Sequence, residues 1–223
     1  MLAIIIPYYK LVFFEATLQS LVAQTCQDFK VYIGDDASPE DPKDLLEQFQ
    51  GKFDFLYHRF ETNLGGISLT QHWERCIELS VNESWLMILG DDDVLGENVV
   101  EAFYKNLEEI KQNGCNVVRF ATQIIDEEGM AISKVFDHPK LEKATDGFCR
   151  KFKGEIRSSL SEYVFSSTSY SRFGFKNYPL AWHSDDLAWL EFADKNPIFS
   201  INSVLFYIRM SCKNISGKID NLE

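Results

Sequence analysis

The sequence predicts an α/β fold built on a mostly parallel sheet, and three observations carry that expectation. Short runs of β-branched and aliphatic residues alternate with stretches of helical periodicity through the first half of the chain. The run Trp85 to Leu89 is apolar at every position, the pattern of a strand covered on both faces. Polar and acidic residues follow directly after the predicted strands, as in open sheets that bind ligands outside the carboxyl ends of their strands.

Taken in order, Leu2 to Ile6 reads as a strand stopped by Pro7, and Phe14, Leu18, Leu21 and Val22 recur at helical spacing. Phe29 to Gly34 is a second strand, ending in Asp35-Asp36-Ala37-Ser38-Pro39. Pro42 to Phe49 reads as a helix, Phe53 to Phe60 as a third strand, and Ile67 to Leu79 as a helix entered through Asn63-Leu64-Gly65-Gly66. Trp85 to Leu89 then leads into Gly90-Asp91-Asp92-Asp93-Val94-Leu95. Strands and helices at this spacing imply right-handed βαβ units. The second half is less regular. A helix over Val99 to Ile110 stops at Asn113-Gly114, and a strand over Asn116 to Ile125 turns at Asp126-Glu127-Glu128-Gly129 into Met130 to Phe136. Residues 137–154 are polar and Lys-rich without periodicity and read as a mobile loop. Ile156 to Phe165 looks helical. Ser184-Asp185-Asp186-Leu187 has the composition of a helix start, with Ser184 as its cap, and Ile198 to Ile208 reads as a last strand.

At 223 residues the chain is long enough to bury a sizeable core, and it is expected to form a single domain, 1-223, with a ligand-binding half over 1-112 and a second half over 113-223. A formal net charge of -12 disfavours nonspecific binding to nucleic acid or to anionic lipid. No apolar run approaches the roughly twenty residues that span a bilayer, and no cationic segment with an apolar stretch opens the chain, so a cytoplasmic protein or a soluble piece of a longer one is expected. Cys26, Cys76, Cys115, Cys149 and Cys212 are odd in number and form no C-x-x-C pair, which favours reduced thiols over a disulfide framework or a zinc site.

The acidic triplet carries the chemistry. Three carboxylates emerging together at the end of a buried strand repel one another unless something cationic sits among them. Hard oxygen ligands select Mg²⁺ or Mn²⁺, and a cation held by one or two carboxylates usually completes its shell with substrate phosphates, which points to a nucleotide diphosphate. The plainer alternative is that these residues only turn the chain toward the next helix, a task one Asp would meet.

With Ile6-Pro7-Tyr8-Tyr9, Asp35-Asp36-Ala37-Ser38, Asn63-Leu64-Gly65-Gly66, His72-Trp73-Glu74-Arg75-Cys76-Ile77 and Leu89-Gly90-Asp91-Asp92-Asp93-Val94-Leu95 in this order, the chain resembles the inverting family-2 glycosyltransferases of the GT-A fold. The resemblance is close over residues 1 to about 112 and looser through Ser184-Asp185-Asp186. It implies transfer of a sugar from a nucleotide-diphosphate donor, most often a UDP-sugar, to the hydroxyl of a saccharide or glycolipid acceptor. It also implies that Pro7, Tyr8 and Tyr9 line the base pocket, that Asp36, with Asp35 beside it, bonds the base, and that Asn63, Gly65 and Arg75 belong to the donor site. The D-x-D signature would lie in Asp91-Asp92-Asp93, with the metal on Asp93 in one register and on Asp92 in another. The general base would be Asp186, with Asp185 as the runner-up. Assembly of surface polysaccharide or glycolipid, at the inner face of the membrane, is the setting the resemblance suggests.

Physical chemistry asks for the same parts. Charge grows on the leaving diphosphate, which a fixed cation stabilises, and a carboxylate on the opposite face activates the attacking alcohol. Trp182 and His183, beside the acid pair, would suit a sugar acceptor or a core corner equally. Arg75 can face the diphosphate or be a solvated stem. Arg209, Lys213, Asn214 and Ser216 offer phosphate donors but read first as surface polarity, while His58 and His138 read as structural. Two other classes fit the fold. A nucleotidyltransferase would need a Gly-rich loop after the first strand, where this chain has Tyr8-Tyr9-Lys10-Leu11-Val12. A nucleotide- or carbohydrate-binding module would retain the pocket without turnover.

Overall fold

The computed structural model describes residues 1–211, in which nine strands form one mixed sheet. In chain order the elements are β1 (Leu2–Tyr8), α1 (Phe14–Val22), β2 (Phe29–Asp35), α2 (Lys43–Glu47), β3 (Phe55–Arg59), α3 (Leu69–Ile77), β4 (Trp85–Ile88), β5 (Val94–Leu95) and α4 (Val99–Gln112). They continue with β6 (Val117–Ile125), β7 (Leu141–Lys143), α5 (Ala144–Phe152), β8 (Tyr163–Ser166), α6 (Ser167–Phe173), α7 (Ser184–Phe192) and β9 (Pro197–Arg209). The sheet order is β3-β2-β1-β4-β8-β6-β9-β5, with β7 also on β9.

The first four strands to pair are all parallel: β1 takes β2 on one side and β4 on the other, and β3 joins β2. Alternate residues of β1 therefore serve opposite faces. Ile4, Ile6 and Tyr8 join Phe14, Leu18 and Leu21 of α1 and Val99, Phe103 and Ile110 of α4 in one core. Ala3 and Ile5 join Trp73, Cys76 and Ile77 of α3 and Ala188, Trp189 and Phe192 of α7 in the other. Burial of each large side chain contributes roughly 1.5–3 kcal/mol. Close packing also sets Gly34, because a Cβ there would lie 2.3 Å from Cys76 Sγ where α3 crosses β2.

Pro7 does not stop β1. The strand runs on to Tyr8, pairing Pro7 with Gly34, while its pairing with β4 ends at Ile5. The missing N–H thus falls beyond the β4 ladder, where it costs no bond. Residues 137–154 are not a loop, for β7 and α5 lie there. Ile156 to Phe165 is not a helix either: Tyr163 begins β8, which is wedged antiparallel between β4 and β6. The turn at Asp126 forms, with Met130 N donating to Asp126 Oδ1 at 2.7 Å, but the return segment makes only isolated bridges, Ile125 to Ala131 and Thr122 to Phe136. Cys26, Cys76, Cys115 and Cys149 are free thiols, and Cys212 lies outside the described residues, as do Lys213, Asn214 and Ser216. No helix among the described residues is long and apolar enough to cross a membrane.

Candidate active site

The parallel strands deliver four loops to one edge of the sheet, and buried carboxylates tie these loops to one another. Asp35, at the end of β2, accepts from Ser38 N at 2.8 Å, Tyr57 Oη at 2.6 Å and Arg59 Nη1 at 2.6 Å. Asp36 accepts from Leu64 N at 2.7 Å and Gly65 N at 2.9 Å, and it pairs with Arg75. Arg75 is therefore no solvated stem. Its guanidinium also stacks on Phe60 with its carbon 3.9 Å from the ring centroid, a cation–π contact. His72 Nδ1 lies 3.6 Å from Asp36 Oδ1, yet burial pushes its pKa down to about 4, which leaves the imidazole neutral. Gly65 is required by this approach, since a Cβ there would sit 2.6 Å from Asp36 Oδ2. Asn63 Oδ1 closes the same loop by accepting from Gly66 N at 2.7 Å.

The acidic triplet fans out rather than converging on one cation. Asp91 Oδ2 accepts from the backbone N–H groups of Tyr9 and Lys10, both at 2.8 Å, and so fastens the end of β4 to the loop after β1. Asp93 is buried and points inward, where Oδ1 accepts from Arg209 N at 2.9 Å and Oδ2 from Ser161 Oγ at 2.5 Å. Burial pushes the Asp91 carboxyl up to about 6 and raises that of Asp93 as well. Asp92 stays half-buried at the rim. Its Oδ1 and the Oδ2 of Asp93 curl back over Gly90, where a Cβ would lie 2.8 and 3.1 Å from them. No group of three or more His, Cys, Asp or Glu side chains among the described residues could by itself hold a metal ion. Hydrogen bonds from Tyr9 N and Lys10 N hold Asp91, and those from Arg209 N and Ser161 Oγ hold Asp93. The half-buried Asp92 carboxylate is a hard oxygen donor of the type that suits one position on a Mg²⁺ or Mn²⁺ ion.

The other sequence candidates separate into those at the edge and those turned away. Pro7 is half-buried and Tyr9 exposed. Tyr8 is wholly buried against Phe14 and donates its hydroxyl to Glu40 O at 2.8 Å, so it supports the loop from below. Arg209 spends Nε on Asp92 O and Nη1 on Asp126 O and Glu127 O, clamping the turn instead of presenting a phosphate donor. Two positioning residues left no mark in the sequence. Ser161, which falls in the segment expected to be helical, bonds both Asp93 and Gly90 N. Lys151, in the expected loop, donates to Asp186 Oδ1 at 2.5 Å.

That contact bears on the acid pair. α7 starts after His183, which takes a left-handed conformation with φ 62°, and Ser184 is its first helical residue with a buried, unbonded Oγ rather than its cap. Asp186 is buried, with one oxygen on Lys151 and the other 2.9 Å from His183 Nδ1. Asp185 is half-buried; burial, together with the charge of Asp186, raises its pKa above the ordinary carboxylate value. Trp182 and His183 are exposed immediately before the pair.

A sheet of order β3-β2-β1-β4, continued by antiparallel β8 and by β6, is the arrangement of the GT-A fold. Solved structures of TarS from S. aureus share it. Its residues 1–349 in complex with UDP-GlcNAc match with a TM-score of 0.73 at 14% identity, over 94% of this chain and 58% of that one. The complex with UDP matches with a TM-score of 0.71 at 14% identity, over 95% of this chain and 61% of that one. The chain thus spans less than two thirds of these relatives' length. No curated protein sequence matches it. The model of Glycosyl transferase family 2 matches residues 3–178. The chain belongs to that family.

Proposed function

We propose that the chain moves a sugar from a UDP-sugar to an acceptor hydroxyl with inversion at the anomeric carbon. The observation that carries this reading is the polar edge at which Asp91 and Asp36 tie together the loops after β1, β2, β3 and β4. UDP and UDP-GlcNAc occupy TarS, whose fold this chain shares, and that supports the choice of donor. Pro7 and Tyr9 flank the base. Asp36 receives three donors on its two oxygens, and a carboxylate offers about four acceptor positions, so one remains for the imide N–H of uracil. Arg75 holds Asp36 in place, Asp35 anchors the end of β2 beside it, and Asn63 and Gly65 shape the neighbouring loop. Asp91 keeps the β1 loop at the ribose.

Asp92 would hold a Mn²⁺ or Mg²⁺ ion, which when bound supplies Lewis-acid stabilisation of charge on the leaving diphosphate, worth several kcal/mol. On the opposite side the acid pair begins α7, where the helix N-terminus favours the ionised carboxylate a base requires. The sequence ranked Asp186 first. Because both of its oxygens are engaged, by Lys151 and His183, the geometry favours Asp185 as the group that takes the acceptor proton, with Asp186 positioning it. Exposed Trp182 and His183 offer a surface for a saccharide or the sugar of a glycolipid. A role in surface polysaccharide or glycolipid assembly, from the cytoplasm and with peripheral contact to the membrane, belongs to the same proposal.

The test is transfer from UDP-sugars to a panel of saccharide and glycolipid acceptors with Mn²⁺, reading the anomeric configuration of the product by NMR. Inversion is expected, with Asp185→Asn slowing transfer by roughly a hundredfold or more and Asp186→Asn slowing it less. A product that retains the donor's configuration, or full activity in both variants, would contradict the mechanism.

A further inference from the structure

The segment that leads into α7 is held in a strained conformation. Leu180, Ala181 and His183 take φ values of 55°, 56° and 62°, in the left-handed region that few residues other than glycine adopt. Such backbone persists only where its surroundings over-determine it. At the start of the segment Asn177 Oδ1 accepts from Ser68 Oγ at 2.8 Å and Thr70 Oγ1 at 3.0 Å, which fastens it to the beginning of α3, next to the loop that carries Gly65. At its end His183 O accepts from Leu187 N at 3.0 Å in the first turn of α7. Held at both ends, the chain presents His183 to solvent with 73% of its side chain exposed.

One nitrogen of that ring is fixed and the other is not. Nδ1 lies 2.9 Å from Asp186 Oδ2, and the Asp186 carboxylate is buried with its other oxygen on Lys151. An ionised carboxylate only accepts hydrogen bonds, so Nδ1 carries the proton, and the neutral imidazole then offers the lone pair of Nε2. Nε2 has no hydrogen-bond partner among the described residues. An exposed ring whose tautomer is set by a buried carboxylate, two positions before Asp185, is an oriented hydrogen-bond acceptor at the acid pair. We infer that His183 binds the acceptor: its Nε2 accepts from a hydroxyl next to the one that loses its proton to Asp185. The ligand class is a saccharide with neighbouring hydroxyls. The inference rests on the transferase reading above, which supplies Asp185 as the base.

Two measurements test it, both with His183→Asn as the variant. Asn tolerates the left-handed region and carries its amide N–H at the same remove from Cα as Nδ1, so the substitution keeps the bond to Asp186 and deletes Nε2. Nitrogen NMR at mildly alkaline pH, with the His183 signals assigned by their loss in the variant, reads the tautomer directly. Nδ1 protonated and Nε2 bare is the expected result. The second measurement is transfer from UDP-sugars to methyl glucoside, methyl galactoside and methyl mannoside and to their monodeoxy analogues. In the wild type, loss of the hydroxyl beside the reacting one is expected to lower kcat/KM about fivefold, through the acceptor KM. His183→Asn should lower kcat/KM for the full acceptor by the same factor and show no further penalty with the deoxy analogue, because the two groups share one bond. A His183 protonated on Nε2 alone, or a deoxy penalty as large in His183→Asn as in the wild type, would overturn the assignment. So would UDP binding by calorimetry without transfer to any of the glycosides. In each of these cases bound UDP leaves the donor site standing, whereas no UDP binding and no transfer would overturn the transferase reading and the inference with it.

Discussion

Adjacent aspartates repel one another, and in this chain each of two finds its own hydrogen-bond donors. Asp93 is fixed by Arg209 N and Ser161 Oγ inside the protein, and Asp91 by two amides of the β1 loop. Asp93→Ala would leave the buried Arg209 N–H unpaired and is expected to cost about 1–3 kcal/mol in urea unfolding. A stability equal to that of the wild type would mean that Asp93 is free to leave its donors. Glu162 is the other exposed consequence of burial at this scale. It is wholly buried with Oε1 unbonded, and burial pushes its pKa up to about 7 from an ordinary 4.5. Below about pH 4.5 both folded and unfolded chains hold this proton. Between about 4.5 and 7 only the folded chain does, so its contribution to stability is lost as pH rises through that window. Glu162→Gln should therefore gain stability relative to the wild type at pH 8 and not at pH 4, as read by thermal unfolding across the range.

At the scale of elements, the parallel half of the sheet was legible because its central strands β1 and β4 are apolar and α1 and α3 amphipathic. β1, β2 and β4 with α1 and α3 fall within a few residues of where composition placed them. The second half was not legible, for reasons that particular residues show. β7 is only three residues long, and the one buried residue of α5 is Gly147; the two elements are tied together by Glu142, which is buried between Arg119 at 2.6 Å and Arg150 at 2.8 Å, partners 23 and 8 residues away. A local window reaches Arg150 but not Arg119. Glu142→Ala would strand the buried Arg119 charge and is expected to cost about 3–5 kcal/mol in chemical denaturation. A loss below 1 kcal/mol would show that Arg119 finds another partner. β8 was missed because Glu162 and Ser161 precede it, so a short buried strand reads as one end of a polar helix. In the site, the motif aspartates were visible as residues, but what each carboxylate bonds was not. The fan of Asp91 to Asp93 and the Lys151 contact to Asp186 depend on backbone and side chains far away in sequence.

Across the whole molecule, the sheet works as a frame that brings the ends of β1, β2, β3 and β4 to one edge. A fold shared with TarS at 14% identity fixes that frame and not the substrate, so the account depends on ligand chemistry at the edge. Its central claim is that a nucleotide diphosphate binds there with a divalent ion on Asp92. The two ligands must then reinforce each other, and the effect must be reciprocal. Calorimetric titration of UDP into the wild type and Asp92→Asn, each in Mn²⁺ and in EDTA, reads this most directly. The account predicts that Mn²⁺ tightens UDP binding by about tenfold or more in the wild type and by little in Asp92→Asn. Equal UDP affinity in Mn²⁺ and EDTA for the wild type, or no UDP binding in either, would contradict it.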